Sequence, residues 1–573
     1  VGDRSTRSGR RALLAAVSFV LLVTVAACGG GDDEGGGGGG GGDESTAPGE
    51  SSFEYTNLEP DTAEPQYGGE IVYGIEADTD NGWITTDFLC AVSCGQVIRS
   101  VYDPLMELDE EGNAVPYLLE SITPNDDFTE WTLVTREGIT FHDGTPFDAE
   151  AVVRNLNAHQ TSLITARAVQ DSNPAEVVDE RTVRITTKVP WVNFPIGLTS
   201  QVGYMASPTW LDAVDAGTAE SDEPVGTGPF VFESYSPGGD FVATRNEEYW
   251  QSDPDGNQLP YLDKVTFRIF NDSAARERAL VTGDIDIMHV AQGQVISDLR
   301  DSDEVELVET SQGAEVTYMM LNSAAPGSAL ADVEVRRALA QAIDREQFTE
   351  ARSDGVMPVA NGPFSPDVDG WLEDTGFPEY DPEAAEAAIA AWEEENGDMV
   401  INLKTTNDQN NRATVELAAS LWEQIGVTTE IDQVEQGQFV LDAANGQFEA
   451  ITFRNLGGVD ADQRQPFLDS ATSGPVGSLA INFNRIEDPI IDEALATIRS
   501  DPDEDARRTA AEDLNRQMAA EVYDIWLSWQ VWGIGYQPDL HQVATGALAP
   551  DGDPLIGLRP GGNHQLSQIW VDG

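Results

Sequence analysis

Few side chains in this chain of 573 residues have the type and spacing that chemistry requires. There are three cysteines, Cys28, Cys90 and Cys94, and five scattered histidines, His142, His159, His289, His541 and His564. Cys90 and Cys94 form a Cys-x-x-x-Cys pair, which in an exported chain reads as a disulfide closing a short loop or helical turn. The spacing is not that of a Cys-x-x-Cys redox pair, and no histidine lies nearby to complete a metal site. Gly-x-Ser-x-Gly, His-Glu-x-x-His and phosphate-loop patterns are all missing from the sequence. Asp253-Pro254-Asp255-Gly256-Asn257 approaches a calcium loop, but its Gly falls at the wrong place and Lys264 stands where the closing Glu belongs. It reads as a solvated turn, and Asp501-Pro502-Asp503-Glu504-Asp505 reads as a helix start. The expectation is a chain that is not an enzyme and carries neither metal nor cofactor.

Charge narrows the partners. The chain carries 101 acidic residues against 31 basic ones, a formal net charge of -70, and most of its basic residues are arginine. Such a field disfavours nucleic acid and anionic lipid surfaces and speaks to solubility rather than to fold. With 40% hydrophobic residues, the chain has ample material for a large core and for more than one domain.

The first residues have the layout of a secretory signal. Arg4, Arg7, Arg10 and Arg11 precede a small and apolar run from Ala12 to Ala27, which ends in Val25-Ala26-Ala27-Cys28. The run is about the length of a signal core and shorter than the roughly 20 residues of a spanning helix. Small residues directly before a Cys resemble the lipobox of bacterial lipoproteins, which implies a signal over 1–27, cleavage there and lipid on Cys28. From 28 to 66 the chain is rich in Gly and acidic residues, with an uninterrupted Gly35–Gly42 run. That composition predicts a flexible tether between a membrane anchor and the body.

After the tether, strand-like and helix-like patterns alternate. Strands are expected at Gly69–Ile75, Trp131–Thr135, Val265–Phe270 and Asp284–Met288. Helices are expected from an Asp148 cap to His159, over Ser273–Val281 closed by Gly283, over Val333–Phe348, from Asp381-Pro382, over Thr414–Ile425 and over Ala506–Val522. The mixture predicts an α/β chain of at least two lobes.

Five blocks of residues carry a family resemblance. They are Val101-Tyr102-Asp103-Pro104-Leu105 with Val115–Ser121, Trp131–Val153 with Phe141-His142-Asp143-Gly144, and Val225-Gly226-Thr227-Gly228-Pro229-Phe230 with Tyr249-Trp250. Leu262–Val265 with Gly283-Asp284-Ile285-Asp286, and Val335–Leu339 with Ala342–Arg345, complete the set. In this order they resemble the dipeptide- and oligopeptide-binding solute receptors of ABC importers, family 5 of the bacterial solute-binding proteins, from Tyr67 to the end. The resemblance implies a periplasmic-binding-protein-like α/β fold with three lobes. Lobe I takes 67–100, 223–311 and 531–573, lobe II is an insertion of 101–222, and lobe III takes 312–530. Ligand is expected in a cleft between lobes I and III, which close by hinge motion. Most of the matching blocks are expected to be scaffold: Gly226-Thr227-Gly228-Pro229 as a turn, His142 as structural, and Arg336 and Arg337 as helix surface or inter-lobe contacts.

The same resemblance points to the cleft lining. Peptide receptors of the family hold the ligand's amino terminus on an Asp that follows a strand. The matching stretch is Phe453–Asp462, which makes Asp460 or Asp462 the candidate; the alternative is that one of them caps a helix. Asn455, Asn361, Trp83, Trp529 and Trp532 are the further candidates. The expected role is a monomeric, lipid-anchored receptor at the outer face of the cell membrane. It would deliver peptides or similar small solutes to an ABC permease and ATPase. A receptor for oligosaccharide or nickel chelate, a signalling surface lipoprotein and, last, a secreted hydrolase are the alternatives.

Overall fold

The computed structural model describes residues 63–79, 81–88, 92–162 and 165–573. The expected signal, Cys28, most of the tether, Asp80 and Cys90 lie outside the described residues. The described chain is α/β and builds three main sheets.

The first sheet has seven strands, in the order Glu306–Thr310, Trp532–Tyr536, Ile287–Val290, Glu70–Ile75, Lys264–Ile269, Phe241–Arg245 and Phe230–Tyr235. Its centre is parallel: Glu70–Ile75 runs with both Lys264–Ile269 and Ile287–Val290. Parallel strands need a crossover, and the helix Ser273–Val281 carries the chain from Lys264–Ile269 to Ile287–Val290, on the other side of Glu70–Ile75. Asp272 caps that helix by accepting from the Ala275 N–H, and Gly283, at φ +73, lets the chain turn back beyond its end.

The second sheet has five strands, Thr428–Val434, Val400–Thr406, Ala450–Asn455, Val316–Leu321 and Asp524–Trp529. The third has four, Leu119–Pro124, Glu130–Thr135, Thr182–Thr186 and Glu176–Val177. Distinct apolar cores sit on them: Tyr73, Phe267 and Ile534 on the first, Leu403, Val415 and Trp526 on the second, and Leu133, Val152 and Val183 on the third. Ala547, Ala549 and Leu555 of the C-terminal segment join the core of the third sheet.

The first and third sheets are closely joined. Glu107, 1% exposed, pairs with both Arg99 and Arg559. Asp103 accepts hydrogen bonds from the Thr227 and Tyr249 hydroxyls and the Trp250 Nε1–H. At Gly226 and Gly228 a Cβ would overlap the Val101 carbonyl, which explains two glycines in this turn. His142 sits against it, with its Nε2 2.9 Å from the Gly228 oxygen, and burial holds its pKa down at about 4. A neutral, walled-in imidazole is structural, as expected.

The first and second sheets, by contrast, are linked by two short crossings. Residues 311–315 join Glu306–Thr310 to Val316–Leu321, and 530–531 join Asp524–Trp529 to Trp532–Tyr536. Within the second sheet's body two expectations are corrected. The single helix over Val333–Phe348 is two helices, Val333–Gln341 and Arg345–Ser353, because Asp344 turns its side chain onto the Gln347 N–H and starts a new one. Arg336 is neither surface nor inter-lobe: it is buried and donates to the Leu330, Glu521 and Val522 carbonyls, closing the end of the Glu504–Glu521 helix.

Candidate functional site

The two crossings bring residues from distant parts of the chain onto one floor. The parallel strands Glu70–Ile75, Lys264–Ile269 and Ile287–Val290 end on the same edge, at Glu76, Phe270 and Ala291. In open α/β sheets ligands bind outside such carboxyl ends. Antiparallel pairing in the second sheet sets Arg454 opposite Thr317 and Asn455 opposite Val316, which also faces Trp529.

Arg454 organises this floor. Its Nε lies 3.3 Å from Glu315 Oε2, its Nη1 donates to Gln530 Oε1 at 3.2 Å, and its guanidinium lies 4.8 Å from the centre of the Trp532 ring. Its side chain is still 35% exposed. The Trp532 ring meets His289 at 4.9 Å. Burial pushes the His289 pKa down, so its ring is neutral; Nε2 bonds the Gly561 carbonyl at 2.7 Å and Nδ1 has no partner. Burial pushes the Glu315 carboxyl up, Arg454 opposes that, and Glu76 adds to it. Gln530 ties the floor together: its N–H donates to the Glu315 carbonyl and its Nε2 to the Ala291 carbonyl. The floor offers a partly exposed cation and two carboxylates, backed by a buried amide and a buried indole. Such groups orient a polar solute and hold no nucleophile–base pair.

The sequence-derived candidates distribute as follows. Trp532 is in the floor. Trp529 is in the core of the second sheet and Trp83 in that of the first, where it meets Tyr235 and Phe241 edge-on. Asn455 accepts from the Tyr318 hydroxyl at 2.7 Å and borders a cavity of about 10 Å³, room for one water. Asn361 donates to the Leu372 and Glu373 carbonyls, while its buried Oδ1 has no partner. Asp460 caps the short helix Ala461–Arg464, accepting from the Asp462 N–H, while Gln463 reaches back to the Asp460 N–H. Its other oxygen accepts from Asn193. Burial and the neighbouring Asp462 raise the Asp460 pKa to about 6. Asp462 is paired with Arg499 and bonded by the Trp191 indole. Cys94 is disulfide-bonded. Arg454 and Glu315 escaped the sequence reading; the only available signal was that Arg454 stands beside Asn455 in the matched stretch.

Comparison with known proteins agrees with this architecture. The family model described as bacterial extracellular solute-binding proteins, family 5 Middle, matches residues 113–476. The nickel-binding periplasmic protein of Escherichia coli K12 is 25% identical over 475 residues, covering 79% of this chain and 88% of its own. Among solved structures, Helicobacter pylori DppA in complex with the peptide STSA superposes with a TM-score of 0.75 at 18% identity, covering 89% of this chain and 99% of its own. AgaA of A. tumefacien R10 in complex with agropinic acid gives 0.75 at 20% identity, covering 88% and 99%.

Proposed function

Because the chain belongs to the family 5 bacterial extracellular solute-binding proteins, we propose that it captures peptides or similar small polar solutes for an ABC importer, by lobe closure and without chemistry. The observation that carries this reading is the floor at 311–315 and 530–532, where two sheets with separate cores meet across two short crossings. The lobes are taken as 67–100, 223–311 and 531–573 for the first, 101–222 for the second and 312–530 for the third, in keeping with the strands that each sheet collects. Lobe III swings about the crossings and shuts a solute against the carboxyl ends of the first sheet. Arg454 and Glu315 would meet its polar ends, with the buried Gln530 and Trp532 holding Arg454 in place. Asp460, whose oxygens cap Ala461–Arg464 and accept from Asn193, is read by the helix-cap alternative. Relatives differ in what their names say they bind, nickel in one and a peptide in another, so the solute is a matter for experiment.

A lipid on Cys28 and the Gly-rich tether would keep a monomeric body at the outer face of the membrane. No helix among the described residues is long and apolar enough to cross a membrane. The partner of Cys94 is taken to be Cys90. The test is native mass spectrometry of the chain beginning after Cys28, purified without denaturation. A retained mass that sequences as peptide supports the reading. A retained sugar or metal chelate keeps the receptor and removes the peptide. An empty protein that no member of a broad solute panel shifts would refute capture.

A further inference from the structure

The third lobe meets the second at a seam of its own, outside the floor. Arg499, near the end of the helix Pro489–Ser500, is 6% exposed and lies between two carboxylates. On its own side it holds Asp462 through two bonds, Nε to Oδ1 at 2.8 Å and Nη2 to Oδ2 at 3.2 Å. Across the seam its Nη1 reaches Asp171 at 2.5 Å. The Trp191 ring lies under the guanidinium at 4.3 Å and gives its Nε1–H to Asp462 at 2.8 Å. Asn193 donates to Asp460 at 2.7 Å, and the Val192 N–H donates to the Arg499 carbonyl at 2.9 Å. Every one of these cross-seam bonds joins residues 171–193 to residues 460–499.

This arrangement differs from the other two junctions. Buried ionic and hydrogen-bonded networks join lobe I to lobe II, and continuous chain crossings join lobe I to lobe III. The seam between lobes II and III has no chain connection, so opening the cleft has to part it. We propose that Arg499, shared between Asp462 and Asp171 and stacked on Trp191, is a clasp that holds lobe III shut on lobe II. It acts as a positioning residue that sets solute affinity from outside the cleft. The apparent affinity for a solute scales with the fraction of molecules in the competent, closed form, so a weaker clasp weakens capture without touching a solute contact. Parting the seam hydrates both ends of the ion pair, which keeps opening accessible; removing one partner leaves the other buried and uncompensated in the closed form only.

The inference rests on the lobe assignment above. Its test uses ligand-free protein, so it fails or stands independently of which solute, if any, is carried. The full body after Cys28 is compared with Arg499→Met, Arg499→Lys and Asp171→Asn by small-angle scattering and by hydrogen exchange at the Val192 amide. Wild type should scatter as the closed form and protect that amide. Arg499→Met should enlarge the radius of gyration and speed Val192 exchange at least tenfold. Asp171→Asn should shift both in the same direction by less, and Arg499→Lys should restore part of the loss, since Lys cannot hold two carboxylates in the same fork geometry. An unprotected Val192 amide in wild type, or an unchanged radius in Arg499→Met, overturns the clasp. Should Arg499→Met fail to fold, Asp171→Asn decides: unchanged scattering and exchange in that variant overturn the proposal.

Discussion

The join between the first and third sheets can be broken at a single side chain and then repaired, which makes it the sharpest test of how this molecule is held together. Glu107 is buried between Arg99 and Arg559, each itself nearly buried, and also accepts from Gln565 Nε2. Its two arginines have further duties: Arg99 donates to the Tyr204 hydroxyl and Arg559 to the Thr199 carbonyl. At about 4 Å and an effective dielectric near 20, one such pair is worth about 4 kcal/mol before desolvation. Truncating one partner of a buried pair typically costs ~3–5 kcal/mol, because the remaining charge stays buried. Glu107→Gln keeps the shape and removes the charge, so about 3 kcal/mol is expected. The assay is native-state hydrogen exchange at two amides that span the join, Ile556 N–H to the Leu108 carbonyl and Gly228 N–H to the Val101 carbonyl. Both should exchange roughly a hundredfold faster in the variant. A triple variant, Arg99→Met with Glu107→Leu and Arg559→Met, removes all three charges and should recover most of the protection. Exchange within threefold of wild type in Glu107→Gln, or a triple variant no better than the single one, would refute the reasoning.

Three further outcomes are expected. The Asp460 pKa of about 6 lies above that of the unfolded chain, so its contribution to stability is present below about pH 4 and lost as the pH rises through 6; wild type should lose up to about 3 kcal/mol over that window relative to Asp460→Asn, by urea titration at each pH, and parallel profiles would contradict this. Burial raises the Asp524 carboxyl well above the usual range, and it accepts from Asn484 Nδ2 at 3.0 Å. Asp524→Ala should cost roughly 1–3 kcal/mol by leaving Asn484 Nδ2 unpaired, and Asp524→Asn should cost less because its amide oxygen can still accept; an equal loss in both variants, by urea titration, tells against that bond. A net charge of -70 repels itself, and salt shortens the screening length to about 8 Å at 0.15 M. Thermal midpoints should then rise between 0.05 and 1 M KCl, and a flat or falling series would exclude surface repulsion as a destabilising force.

Local signals carried much of the fold. Asp148 accepts from the Ala151 N–H at the start of Ala149–His159, and Asp381 from the Ala384 N–H at the start of Pro382–Asn396, as cap chemistry anticipates. The bounds of Ser273–Val281 follow from Asp272 and Gly283 alone. The break at Asp344 was hidden because the apolar spacing runs straight through it; the decisive event is one carboxylate choosing the Gln347 N–H. The floor was hidden for a different reason. Glu76, His289, Glu315, Arg454 and Trp532 come from five segments, and no spacing within any one of them announces the others. Asp460 and Asp462 stood out as carboxylates, but their partners Asn193 and Trp191 lie far upstream and Arg499 well downstream, beyond any local pattern.

The arginines explain why reading charge as surface misled. Arg99, Arg276, Arg336, Arg464, Arg485, Arg499 and Arg559 are all buried in a chain with only 31 basic residues. Five of them donate to backbone carbonyls at places where the chain leaves regular structure. Arg276 takes Phe270; Arg464 takes Pro363, Gly457 and Gly458; Arg485 takes Ala444, Ser478 and Asn482; Arg336 and Arg559 act alike. Carbonyls of loops have no ladder to satisfy them, and a fork of several N–H donors meets that need at one stroke. An acidic exterior makes this use coherent, since an interior cation feels the favourable field of the whole surface. It also sharpens the meaning of Arg454. Its guanidinium is bonded to side chains only, lies on an indole face and remains partly open to solvent. An arginine so placed keeps donors beyond those spent on Glu315 and Gln530, as the proposed solute contact requires.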